Sequence, residues 1–100
     1  MPSSQVLFHR LAAREYRAAR DWYAARSPEV AQRFQLAVER AVNRIATNAE
    51  RLPVLVRKFR WARVGRFPYV LIVHATPPDA MIVVAVAHTS RRPGYWRRRK

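Results

Sequence analysis

One hundred residues, half of them apolar, predict one domain over residues 1–100 with ample material for a core. Twenty Lys+Arg stand against six Asp+Glu, a formal net charge of +14, so the natural partners are polyanions or acidic proteins. The absence of Cys excludes disulfide scaffolds, thiolate zinc sites and cysteine nucleophiles, and no apolar run approaches the ~18 residues of a membrane span.

The N-terminal MPSSQVLFHR has too short an apolar stretch for a secretory signal and nothing resembling a cleavage site, so a cytoplasmic location is expected. Val6-Leu7-Phe8 reads as a first strand. From about Leu11 the period turns helical, with Ala12, Tyr16, Ala19, Trp22 and Tyr23 at steps of three or four. Ser27-Pro28-Glu29 is a helix start: an N-cap hydroxyl, proline at the first position and an acid in the first turn. The helix that follows sets Val30, Phe34, Ala37, Val38, Ala41, Val42, Ile45 and Ala49 on one face. Its short connection to the first helix predicts an antiparallel hairpin. Beyond Pro53, Val54 to Val64 reads as one irregular strand studded with Arg57, Lys58, Arg60 and Arg63. Gly65 turns the chain, Phe67 to Ala75 forms a second strand, and Pro77-Pro78-Asp79 turns it again. Met81 to Ala87 is apolar on both faces and reads as a central, covered strand. Residues 89–100 form a basic tail with aromatics, TSRRPGYWRRRK. The predicted fold is α+β: an N-terminal strand and a helical hairpin on one face of a mainly antiparallel sheet of three to four strands. The opposite face is expected to be the working surface.

Charge is divided unequally. Residues 1–50 hold 8 Arg against 5 acids, a net of +3; residues 51–100 hold 12 Lys+Arg against Asp79 alone, a net of +11. The first half reads as scaffold and the second as a surface that meets negative charge.

Ala13-Arg14-Glu15 and Trp22-Tyr23 in the first helix, with Phe34 in the second, resemble the RelE/ParE toxin superfamily. So do Arg66-Phe67-Pro68-Tyr69 leading into a strand, and Ala85-Val86-Ala87-His88 followed by Arg91-Arg92-Pro93-Gly94-Tyr95-Trp96. The resemblance runs from about Leu7 to Arg97. It implies the toxin of a type II toxin–antitoxin module, often labelled a plasmid stabilisation protein, neutralised by a cognate acidic antitoxin. RelE-like members cleave mRNA in the ribosomal A site without a metal; ParE-like members inhibit DNA gyrase.

RNA cleavage without a metal needs a base to deprotonate the 2′-hydroxyl, cations to hold the extra charge, and an acid for the leaving oxygen. Clustered carboxylates for two-metal chemistry are missing, so no metal and no cofactor are expected. His9 and His74 stand alone and read as structural, and two glycines cannot form a phosphate-cradling loop. The resemblance places Arg91, Arg92 and Tyr95 at the family's catalytic Arg and C-terminal Tyr, with His88 close by. Arg57, Lys58, Arg60, Arg63, Arg66, Trp96, Arg97 and Arg98 are the candidates for binding a nucleic acid or another target. Against these roles stand plainer ones: Tyr95 and Trp96 packing the tail onto the sheet, and His88 capping a strand end.

One departure bears on the target. Where RelE-like nucleases carry an arginine after the aromatic at Tyr69, this chain has Val70 and then Leu71, and the family's earlier lysines are only loosely represented by Arg57, Lys58 and Arg60. Charge inclines the reading toward an mRNA interferase on the ribosome, and the incomplete nuclease set inclines it toward a gyrase inhibitor. A non-catalytic, basic nucleic-acid-binding module or degenerate toxin is the alternative from another class.

Overall fold

A computed structural model describes residues 5–99; residues 1–4 and Lys100, the last residue of the predicted tail, lie outside the described residues. The chain runs β1 (Gln5–Phe8), α1 (Arg10–Ala24), α2 (Pro28–Asn48), a 3-10 turn (Ala49–Arg51), β2 (Val54–Val56), β3 (Phe59–Arg63), β4 (Tyr69–Thr76) and β5 (Ala80–His88). The α+β layout matches the sequence reading, but the sheet has five strands in the order β1-β5-β4-β3-β2. It is also mixed, because β1 pairs parallel to β5 whereas the other pairs are antiparallel. A parallel neighbour needs a crossover, and the helical hairpin between β1 and the rest of the sheet supplies it.

The predicted single strand over 54–64 is two strands. Arg57, at φ 50°, takes the left-handed conformation that closes a tight β2–β3 hairpin. Composition gave no sign of it, since the turn has neither glycine nor asparagine. Gly65, at φ 52°, makes the predicted turn before β4, and a Cβ there would lie 3.2 Å from the Ala37 Cβ on α2.

Helix α2 begins as read: the Ser27 hydroxyl accepts from the Val30 amide (3.3 Å) and Pro28 occupies the first turn. In α1 the cap is His9, whose Nδ1 accepts from the Leu11 amide at 3.0 Å. Between the helices and the sheet lies a core in which Phe34 is fully buried, ringed by Tyr16, Tyr23, Phe67 and Tyr69 with centroids 5.2–6.0 Å away. Trp22, expected on the buried stripe, is instead 53% exposed, with the Arg26 guanidinium 3.5 Å above its ring.

Strand β5 is interior, as read, though the middle strand is β4. Its partners jump from Val83↔Val73 to Ala85↔Ile72, so Val84 is a bulge residue. Met81, Val83 and Val86 therefore face the helices, while Val84, Ala85 and Ala87 face the other way. That second face is not open. Residues 89–99 fold back over it as a strap, and Trp96 is buried there against Phe59 with centroids 4.7 Å apart.

Candidate target-binding site

Strand β1 covers β5 only as far as Val83, where the His9 amide donates to the Val83 carbonyl at 2.9 Å. Beyond that point the outer edge of β5 has lost its strand neighbour, and its backbone groups need other partners. Two side chains supply them. Glu15, from α1, accepts from the Val86 amide at 3.0 Å, and Arg99, from the strap, donates to the Val84 carbonyl at 2.9 Å.

The same carboxylate gathers the strap. Glu15 accepts from Arg99 through both terminal nitrogens (2.8 and 3.0 Å), from the Tyr95 hydroxyl (2.8 Å) and from Arg91 (3.3 Å). Glu15 and Arg99 are nearly enclosed, with side chains 14% and 12% exposed; Arg91 is half exposed. Two guanidiniums lie over the Tyr95 ring, Arg91 at 3.8 Å and Arg99 at 4.9 Å from its centroid. Burial pushes the Tyr95 phenol up from 10.0 to about 12, and its hydrogen bond to Glu15 and the Glu15 charge push the same way, while Arg91 and Arg99 only partly oppose them. A phenol held in this way stays protonated and is a poor base at neutral pH.

His88 sits across from Tyr69 at the end of β5, the rings 5.1 Å apart. Its Nδ1 accepts from the Ser90 amide at 3.1 Å and contacts the Ser90 hydroxyl at 2.7 Å, so the ring proton sits on Nε2. His88, Arg91, Arg92 and Tyr95 do come together, with Arg63 and the edge of Trp96, around a groove of about 330 Å³ floored by Val70 and Ile72 and walled by Trp61. The other candidates separate. Arg60 donates to the carbonyls of Glu50 (3.2 Å) and Leu52 (2.7 Å), clipping the segment before β2 in place. Trp96, 4% exposed, is part of the core beneath the strap. Arg66 lies around the turn, beside Arg33 and Arg40 of α2 and Phe67. Arg57, Lys58, Arg97 and Arg98 remain exposed.

Glu15 is the residue that sequence reasoning missed. It follows Ala12 by three positions and precedes Ala19 by four, so it falls on the buried stripe of α1. An acid in that stripe, in a chain this basic, was the available signal. Among the described residues no group of His, Asp or Glu is arranged to hold a metal ion, and no helix is long and apolar enough to cross a membrane.

A family model described as the ParE toxin of the type II toxin–antitoxin system parDE matches residues 6–93. Among solved structures, a chain of the chromosomal ParDE toxin–antitoxin system from P. aeruginosa is similar in fold, with a TM-score of 0.74 at 18% identity over 87% of this chain and 97% of that one. No curated protein matches. The chain belongs to the ParE toxin family of type II toxin–antitoxin systems.

Proposed function

We propose that this toxin arrests growth by binding its target rather than by cutting RNA, and that the target is DNA gyrase. The observation that carries the reading is the commitment of Tyr95 and Arg91 to Glu15. A metal-free ribonuclease needs a proton acceptor and free cations at the scissile phosphate. Here the phenol is raised to about 12, and the arginine beside it already faces a carboxylate. Val70, in the position where RelE-like nucleases carry arginine, supports the same conclusion. The weight that net charge gave to mRNA therefore moves to gyrase.

A cognate antitoxin neutralises the toxin in this reading. A groove of about 500 Å³ between the helices, walled by Phe8, Tyr16, Val38 and Val42 and edged by Arg17, Arg20 and Glu39, suits the apolar side chains of a segment that folds on binding and offers its acids two arginines.

The test is induced expression in a bacterium, with plasmid topology and transcript ends followed together. Loss of negative supercoiling and a DNA-damage response with intact transcripts is the expected result. Cleavage of mRNA on stalled ribosomes that disappears in Arg92→Ala would overturn it.

A further inference from the structure

We propose that the free toxin binds duplex DNA directly, by phosphate contacts from the exposed cations of the strap and the β2–β3 hairpin. The structure sorts the nine basic residues of the β2–β3 hairpin and the strap among the described residues into two sets. Arg60, Arg91 and Arg99 donate to carbonyls or to Glu15. Arg57, Lys58, Arg63, Arg92, Arg97 and Arg98 are exposed, and none of their side chains has a hydrogen-bond or ion-pair partner among the described residues.

These six border one face. Arg57 and Lys58 lie at the turn into β3 and Arg63 at its far end, and five steps along a strand cover about 17 Å. That is the rise of roughly five base pairs. The strap lies over the same face: Arg92 shares the rim of the groove with Arg63, and Arg97 and Arg98 lie in the strap between Trp96, packed on Phe59, and Arg99, anchored at Val84. Among the described residues no acidic side chain of the strap or the β2–β3 hairpin opposes them. Glu15 is enclosed, Asp21, Glu29 and Glu39 belong to the helices, Glu50 to the 3-10 turn, and Asp79 to the turn before β5.

The aromatics decide between backbone and base recognition. Proteins that hold single strands offer exposed rings on which bases stack. Here Trp96 is buried, the Tyr95 ring is engaged by the Arg91 and Arg99 guanidiniums, and Trp61 is half-buried in the groove wall. The exposed cations that border this face suit the dense phosphates of a duplex and give binding without sequence preference. The inference does not depend on gyrase as the target, since it concerns the toxin and DNA alone.

Fluorescence anisotropy of the full-length chain with a short mixed-sequence duplex, and with a single-stranded RNA of equal length, tests it across a salt series. Expected is tighter binding to the duplex, with log K falling against log salt at a slope of about −5 if all six cations engage. Arg63→Ala with Arg92→Ala should make the slope shallower by about 2, whereas Arg33→Ala with Arg40→Ala on α2, an equal loss of charge, should leave it unchanged. Equal effects from the two pairs, tighter binding to the RNA, or no duplex binding at low salt would each overturn the proposal. Duplex binding by a toxin that leaves supercoiling intact would preserve this inference and remove the gyrase reading.

Discussion

Replacing Glu15 tests the architecture of the site most directly. In Glu15→Ala the Val86 amide, the Tyr95 hydroxyl and the Arg99 guanidinium lose their shared acceptor together. Removing one partner of a buried pair costs about 3–5 kcal/mol. Arg91 is half exposed and regains water, and Arg99 keeps its bond to the Val84 carbonyl, so about 2–3 kcal/mol is the expected loss. For a domain of this size that lowers Tm by roughly 10–20 °C. Alanine is the better helix former, so the loss is not one of helix propensity. Glu15→Gln keeps an acceptor oxygen without the charge and should lose about half as much. Urea unfolding gives the energies, and limited trypsin digestion reads the strap, where Arg91, Arg97 and Arg98 become faster cleavage sites, Arg92 being protected by Pro93. A change within about 0.5 kcal/mol, with unaltered digestion, is what an ordinary surface position gives and would refute the reasoning.

The Tyr95 phenol makes stability depend on alkaline pH. Its folded pKa lies above the unfolded value, so the folded state holds this proton more tightly; the contribution is complete below the ordinary 10.0 and is lost as pH rises toward about 12. Tyr95→Phe should flatten that decline in a pH series of thermal melts. Trp96→Ala leaves a cavity against Phe59 and should cost about 3–5 kcal/mol by urea unfolding, with Trp96→Phe recovering part of it.

Where the fold was legible, a local pattern and the tertiary structure agreed. The α2 stripe, the Ser27-Pro28 start and the Gly65 turn each depend on neighbours in sequence, and each appears as read. The parallel β1–β5 pair was not legible, because it joins residues more than seventy positions apart and nothing in Val6-Leu7-Phe8 marks its direction. Nor was the β2–β3 hairpin, whose turn is made by a positive-φ arginine. The run Met81 to Ala87 shows no alternation because both its faces are covered, by the helices and by the strap, and for the same reason the bulge at Val84, which sets two adjacent residues on one side, left no mark in the pattern. In the candidate site, residue types pointed to the right region but not to their partners. Glu15 and Arg99 are 84 residues apart, and only the short reach of β1 along β5 makes their meeting necessary.

That meeting changes which substitutions inform on function. By sequence Arg91 and Arg92 are equivalent, adjacent cations at the start of the tail. In the structure Arg91 belongs to the Glu15 network and covers the Tyr95 ring, while Arg92 stands free at the rim of the groove. Loss of toxicity in Arg91→Ala would therefore mix a missing contact with a loosened strap. Arg92→Ala should leave stability within about 0.5 kcal/mol of the parent, as an exposed side chain without partners does, so any toxicity it removes is a matter of target contact. Arg99→Ala supplies the complementary case. It removes little exposed charge, since its side chain is 12% exposed, yet it takes two hydrogen bonds from Glu15 and one from the Val84 carbonyl. Melting curves and growth assays on the three variants separate the two roles. If Arg92→Ala were the destabilised one and Arg99→Ala the neutral one, the strap could not be held as described.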